Sequence, residues 1–497
     1  MARILLFKAF RPLEYYTVTQ PLGLMYLAST LRQHGHDVGI VDMIADVLTP
    51  EDAVERAKKF APDLVGIHAM THEAPTMHTL ARLLKGWRAE LPIAVGGPHP
   101  STDPHETLRN EAIDALCIGE GEDTAPELFR HLLAGEPPVG VLGTAYRKDG
   151  EAFLEPPRPP ILDLDRIPFP AWDLIDVPRY FDLPKFSTVC KRKQYMSIFT
   201  SRGCPYSCTY CHTIFTKKFR TRTVDNVIAE LRTLHDDHGI RELHIIDDIF
   251  NCQMDHAKKI CDRIVAEKLD FAITFPNGVR GDLMDRELLQ KLSAAGCYRI
   301  TYAIETASPR LQKMIKKHNK LDKLRQVIEW TDEMNILQNG FFMLGFPGET
   351  REEIQTTINY ALGSKLHTAQ FFVVNPFEGT ELTEQARALG KEFSTDPEIF
   401  SYFRAENTLC EVPPDELNKL QRSANRRFYL NPRRAVRFIT LYPQRAQLVG
   451  LFFIWLVLSF KVFSDSHERY KWTSLFRSFR FFRRQKEIST AVAPAAA

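Results

Sequence analysis

Residues 201–211 read Ser-Arg-Gly-Cys-Pro-Tyr-Ser-Cys-Thr-Tyr-Cys, and the C-x3-C-x2-C spacing of Cys204, Cys208 and Cys211 decides how the remaining chain is read. Three thiolates fill three iron positions of a cubane cluster, which ordinarily takes four protein ligands. The fourth iron is then open to a substrate or cofactor. An open metal position is a catalytic arrangement, whereas a closed one is structural. The competing reading is a zinc knuckle completed by His212 or another residue. Zinc sites usually add a second ligand pair to the first, and none lies nearby in the sequence.

The chain has 497 residues, enough for two or three domains. Its nine cysteines are too sparse and irregular for a disulfide framework. Buried thiols in a reducing cytoplasm are expected for the six outside the triplet. The first residues, Met-Ala-Arg-Ile-Leu-Leu-Phe-Lys, are too short an apolar run for a signal peptide and read as a first strand. Net charge is only +2, but residues 422–486 hold fifteen Lys and Arg against two Asp and Glu. The C-terminal segment is therefore a separate electrostatic object.

Hydrophobic periodicity divides the chain into alternating strand and helix patterns. Strands are expected at Arg3–Lys8, Asp37–Asp42, Asp63–His68, Pro92–Val95 and Asp114–Ile118. Helices are expected at Leu22–Gln33, Glu51–Phe60 (N-cap Thr49, Pro50 in the first turn) and Thr76–Glu90. This alternation argues for an α/β fold beginning with a parallel, doubly wound domain over residues 1–135. Residues 136–194 are proline-rich and read as a linker with a hairpin turning at Lys148-Asp149-Gly150. A second series over residues 195–385 has candidate strands at Tyr195–Thr200, Leu243–Asp247, Phe271–Phe275, Tyr298–Ile304, Gly340–Leu344 and Gln370–Asn375. Six such units suggest an open or partial (β/α)6 barrel, whose chemistry belongs at the C-terminal strand ends. A helical, basic and apolar extension over 386–487 and a disordered tail over 488–497 complete the expected organisation.

Each expected strand of the second series ends in a polar or glycine-rich motif. Ile246-Asp247-Asp248-Ile249-Phe250 follows the second, Asn277-Gly278-Val279-Arg280 the third, and Ile304-Glu305-Thr306-Ala307-Ser308 the fourth. Leu344-Gly345-Phe346-Pro347-Gly348-Glu349-Thr350 follows the fifth, and Asn375-Pro376-Phe377-Glu378-Gly379-Thr380 the sixth. In this order behind the cysteine triplet, the set resembles the radical S-adenosylmethionine (SAM) superfamily, and within it the cobalamin-binding subgroup. Arg220-Thr221-Arg222-Thr223 resembles the segment after the cluster. Glu378 departs from the Pro-x-Pro-Gly-Thr usual in that subgroup, which puts a substrate-side role for its loop in doubt.

The resemblance implies a [4Fe–4S] cluster on the three cysteines with SAM on its open iron. It implies SAM contacts from Tyr210, Asp247, Asp248, Arg280, Glu305, Ser308 and Gly345. The adjacent carboxylates are candidates for the SAM ammonium and Arg280 for its carboxylate, bidentately. Glu305 is a candidate for the ribose hydroxyls. Helix capping by Asp248 and structural ion pairs at Arg280 and Glu305 remain open alternatives. Glu349 reads as a favourable start to the following helix.

The first domain resembles the cobalamin-binding domain ahead of such barrels. The matching stretches are Gln20–Ala28, Pro62–Ile67, Gly96-Gly97-Pro98-His99-Pro100 and Ile118-Gly119-Glu120-Gly121-Glu122. Candidate cobalamin contacts are His68, Met70, Thr71, Gly96, Gly97, Gly119, Glu120 and Gly121. The loop Ala9–Tyr16 has no histidine to serve as a lower axial ligand of cobalt. A cofactor-free Rossmann-like domain is the alternative.

Leu448–Leu458 is uninterrupted apolar sequence, shorter than the roughly 20 residues a spanning helix needs. Beyond it, Phe476–Arg484 interleaves arginine with phenylalanine. Such a pattern suits binding at a membrane interface; packing on the barrel and nucleic-acid binding are the alternatives, nucleic acid being the least expected. The thiols and this segment suggest a cytoplasmic protein peripheral to the inner face of the membrane, and the resemblance implies an enzyme. It would use a 5′-deoxyadenosyl radical to abstract hydrogen and cobalamin to carry a methyl group to an unactivated carbon. The expected partners are a hydrophobic or lipid-like substrate and a flavodoxin- or ferredoxin-like electron donor. An oxidative cyclase of the same subgroup and a non-catalytic metal-holding nucleic-acid-binding protein are the other readings.

Overall fold

A computed structural model describes residues 1–11, 17–187, 189–211, 214–391, 393, 403–405, 407–444 and 448. His212, most of the apolar run from Leu448, the arginine–phenylalanine stretch and the tail after 487 lie outside the described residues. The chain forms two compact units. One includes residues 1–161 and 167–188, the other 162–166 and 189–443.

The first unit is built on one sheet. Its strands are β1 (Arg3–Lys8), β2 (Asp37–Asp42), β3 (Leu64–His68), β4 (Ile93–Gly96), β5 (Ala115–Cys117), β6 (Thr144–Lys148) and β7 (Glu151–Leu154). They lie in the order β2-β1-β3-β4-β5-β6-β7. β1 to β5 are parallel; β1, β3, β4 and β5 carry the near-continuous apolar run of a strand covered on both faces, while edge strand β2 is half-buried. Helix Leu22–Gln33 and helix Gly121–Leu133 contribute Leu24, Ala28, Leu31, Ala125 and Leu128 to the core on one side. Helix Pro50–Phe60 begins where the sequence indicated, with Thr49 and Asp52 forming a reciprocal capping box. The helix expected at Thr76–Glu90 spans Ala74–Trp87 instead. Pro75 fits its first turn, and Arg88 turns extended and ends it.

The hairpin expected within a linker belongs to the first sheet. β6 pairs antiparallel with β5, and β7 with β6. Asp149 and Gly150 both adopt positive φ, as the tight turn requires. The unit continues through a proline-rich strap, where Ala171 N–H donates to Met25 O and Tyr180 Oη donates to Asp42 at 2.7 Å. Proline punctuation marked 136–194 as a boundary, but edge pairing and these contacts fix its described residues, apart from 162–166 and those from 189 onward, to the first unit.

The second unit opens with β8 (Tyr195–Ile198), followed by a short ribbon of β9 (Ser201–Arg202) and β10 (Arg220–Thr221). Then come β11 (Glu242–Ile245), β12 (Ala272–Val279), β13 (Cys297–Glu305), β14 (Leu337–Leu344) and β15 (Thr368–Val373). β8 and β11–β15 form one parallel sheet in sequential order, β15-β14-β13-β12-β11-β8. Six strands with helices between them make the open barrel the sequence called for. Helix Pro414–Tyr429 covers its last strand. Gln421 Nε2 donates to Phe371 O at 2.7 Å, and Tyr429 Oη donates to Ala369 O at 2.7 Å. Among the described residues, no helix is long and apolar enough to cross a membrane.

Candidate active site

The cysteine triplet sits in the loop between β9 and β10, just past the C-terminal end of β8. Gly203 makes that loop possible. Its φ is +83°, and a Cβ there would lie 2.4 Å from Lys218 O and 2.9 Å from Phe215 O. Arg220 gathers the same two carbonyls, donating to Phe215 O at 2.8 Å and Lys218 O at 3.2 Å. Lys217 Nζ donates to Tyr206 O at 2.6 Å, and Thr209 exchanges backbone bonds with Ile315 and Leu382. The loop is thus shaped by protein contacts, so little ordering remains for a metal group to impose.

The three thiols lie on one loop, and none of them is tied into a disulfide. In a cubane each thiolate would take a different iron and leave the fourth open. The thiols sense each other. Burial comes first in pushing the Cys204 thiol up, with Cys208 adding to it. Cys211 keeps surface open to solvent, yet the protein around its sulfur, then Cys208, push it up to about 11. Lys217 and Lys317 pull in the other direction. Metal-free Cys204 and Cys211 resist ionisation, and bound iron would supply the charge that holds the ligands as thiolates.

Arg280, at the end of β12, carries the clearest sign of a missing partner. Its guanidinium binds Asp282 at 2.9 and 3.1 Å and lies 4.0 Å from the centroid of Tyr206, between the first two cluster cysteines. Its Nη1 is buried and has no acceptor among the described residues. A carboxylate would satisfy that donor with a charge-assisted bond. The structural ion pair and an open donor coexist in one side chain.

Glu305 ends β13 at φ +65°, a strained conformation for a residue with a side chain, and the register slips beside it. Its carboxylate takes Tyr210 Oη and Lys317 Nζ, each at 3.2 Å. Tyr210 also packs with Phe346 above a cluster of Leu311, Ile315 and Val374. Tyr210 and Glu305 are therefore brought together beside the cysteines, and the structural ion pair is realised at Glu305.

Other expected contacts are already engaged by the protein. Asp247 accepts from Thr200 N at 2.7 Å and from the hydroxyls of Thr200 and Ser201 at 2.5 Å each. Asp248 accepts from Gly203 N at 3.1 Å. Both carboxylates face the chain that leads into Cys204, so their visible work is to hold the cluster loop. Burial pushes Asp247 up to about 6 against the pull of these donors. Ser308 caps helix Pro309–Met314 and donates to Glu353 at 2.6 Å. Gly345 has φ +98°, and its N–H donates to Glu349 at 2.6 Å. Glu349 also accepts from Phe346 N at 3.0 Å, while Thr350 caps the following helix, Arg351–Leu362. Glu349 thus bends back to hold the glycine turn rather than opening the helix. Tyr206, Lys217 and Lys317 were not singled out from sequence. Their positions within or after cluster-side motifs were the available signal.

In the first unit, strand order reverses between β1 and β3, where doubly wound sheets bind ligands beyond their C-terminal ends. His68, Met70 and Thr71 stand at the end of β3, Gly96 and Gly97 at the end of β4, and Gly119, Glu120 and Gly121 after β5. Gly97 has φ +104°, and a Cβ would lie 2.7 Å from the His68 ring. Gly119 has φ +78° and open space where a Cβ would stand. Gly97 thus lets the His68 ring pack on the turn, and Gly119 leaves backbone accessible, as a large planar macrocycle requires. Burial, then Lys8, lower His68 to about 4, so its ring is neutral. Glu120 accepts from Ile161 N at 2.9 Å. His78 and His99 bind Glu106 at 3.1 and 2.9 Å, which fixes the turn after Gly97. Sequence reading did not single out that trio as a group.

A model of the B12 binding domain matches residues 13–129, and one of the radical SAM superfamily matches residues 198–361. The chain is 35% identical over 427 residues to an uncharacterized methyltransferase of Pyrococcus horikoshii, spanning 85% of this chain and 90% of that protein. It is 32% identical over 464 residues to the cytidylyl-2-hydroxyethylphosphonate methyltransferase of Streptomyces wedmorensis, spanning 82% and 86%. The fold is similar to that of TsrM, a radical SAM methyltransferase from Kitasatospora setae solved with cobalamin and a [4Fe–4S] cluster. The TM-score is 0.66 at 18% identity, covering 87% of this chain and 86% of that one.

Proposed function

Since this chain belongs to the family that joins a B12-binding domain to a radical SAM domain, we propose that it is a cobalamin-dependent methyltransferase acting on an unactivated carbon. The observation that supports this most is the pre-shaped three-cysteine loop beside an arginine with a buried, unpartnered donor. When bound, the cluster and SAM supply a one-electron route to a carbon radical, and cobalamin supplies the methyl group.

The protein's own residues position and exclude. Cys204, Cys208 and Cys211 would hold the cluster. Arg280 Nη1 would take the SAM carboxylate, with Tyr206 and Asp282 fixing the guanidinium plane. The turn at Gly345 leaves backbone close to the strand ends, and Glu349 keeps it in place. Tyr210 and Phe346 give the site an apolar wall that keeps water away. In the first unit, Gly119 would let the macrocycle approach backbone, while Gly97 makes room for the His68 ring.

The electron donor we propose is a flavodoxin- or ferredoxin-like protein. The substrate is hydrophobic or lipid-like, and an anionic membrane surface at the cytoplasmic face is the further partner. Incubation of the reduced protein with methyl-labelled SAM and cell extract tests this reading. Label in an organic-phase product supports it. Label in a water-soluble product replaces the substrate class. An oxidised, unlabelled product favours the cyclase.

A further inference from the structure

Helix Pro432–Leu441 is amphipathic in reverse. Its inward side is charged. Arg434, only 8% exposed, donates to the carbonyls of Leu366 and Phe428 at 2.8 Å and of Leu362 and Ser364 at 3.1 Å. Arg437 binds Asp332 at 2.8 Å. Its outward side is aliphatic, with Val436 63% and Ile439 49% exposed. Leu430, at the joint before it, is 55% exposed. Clustered apolar exposure of this kind marks an interaction surface.

We propose that this face docks on an anionic phospholipid bilayer, an inference that rests on the membrane partner named above. Charge selects the occupant. Arg426, Arg427 and Arg433 are exposed around the aliphatic residues. A second copy would bring the same arginines face to face. The chain's own C-terminal segment is no better, because residues 445–486 hold nine Lys and Arg against two Asp and Glu. A bilayer with acidic headgroups complements the helix and its exposed arginines. It also accepts aliphatic side chains at the depth of an interfacial helix.

The test is flotation of the full-length, anaerobically reconstituted protein. One set of vesicles is phosphatidylcholine alone, the other equal parts phosphatidylcholine and phosphatidylglycerol. The wild type floats with the anionic vesicles, and raised ionic strength weakens the association. V436D/I439D lowers the bound fraction about tenfold, because two aliphatic side chains no longer enter the interface. R426Q/R427Q/R433Q binds more weakly and loses part of the salt dependence. These positions are solvent-facing, so circular dichroism and iron content stay as in the wild type. Absence of wild-type flotation, whether the protein stays free, self-associates or is held by RNA, overturns the proposal. Equal flotation of V436D/I439D does so too. Flotation needs no turnover, so failure of methyl transfer and failure of docking are read separately.

Discussion

The Arg280 guanidinium lies 4.0 Å from the centroid of the Tyr206 ring, tying the end of β12 to the loop between the first two cluster cysteines. Asp282 grips the same guanidinium from its other edge. Two separate pieces of sequence thereby fix one buried donor. Spacing alone does not reveal such a junction, because Tyr206 and Arg280 are far apart in the chain and neither is unusual by itself.

Arg280→Lys tests this junction. A lysine keeps the charge but not the planar fork or the ring stacking. SAM binding is expected to weaken at least about tenfold, in line with one lost charge-assisted bond. Iron content should be unchanged, because the cysteines are not touched. Equilibrium dialysis with SAM and iron analysis of the same preparation check both parts.

Gly203→Ala tests the loop. Positive φ and a Cβ 2.4 Å from Lys218 O leave no room for the methyl group. The cost is about 2 kcal/mol of local strain, which the loop relieves by moving. Iron and sulfide content should fall sharply while circular dichroism stays close to wild type.

Glu349 carries a pH dependence of definite sign. Burial pushes its carboxyl up to about 8, against the pull of the Gly345 and Phe346 amides. The folded chain holds this proton more tightly than the unfolded chain does. Its contribution to stability is therefore complete below the ordinary value of 4.5 and is lost as pH rises through about 8. Glu349→Gln keeps an oxygen for the two amides and cannot ionise. Between about pH 5 and pH 8, the wild-type midpoint should fall more than that of the variant. Anaerobic scanning calorimetry of both proteins measures the difference.

The strand–helix alternation was legible because most strands of both sheets are apolar runs bounded by glycine, proline or polar residues. β1, β2 and helix Leu22–Gln33 occupy the residues their periodicity indicated. Tertiary pairing was not legible. Proline-rich residues 136–161 read as a linker because proline punctuates loops, yet β6 finds the free edge of β5. In the site, the cysteine spacing spoke plainly because few chemistries need it. Asp247, Asp248 and Ser308 were harder to read. A carboxylate or hydroxyl at a strand end suits a ligand and a loop amide equally, and here the described contacts are with the loop and the helix cap.

Cys211→Ala separates cluster from fold. Cys211 keeps surface open to solvent and lies in the cluster loop rather than in a strand or helix. Thermal stability of the metal-free protein should change little, within about 0.5 kcal/mol. Anaerobically reconstituted variant should lack the full iron and sulfide complement of the wild type.

The most direct test is 5′-deoxyadenosine formation by the anaerobically reconstituted, reduced protein given SAM. The wild type should carry about four irons with matching sulfide per chain and release 5′-deoxyadenosine, while the C204A/C208A/C211A variant releases none. Zinc in place of iron in the wild type, or undiminished 5′-deoxyadenosine from the triple variant, would contradict the account.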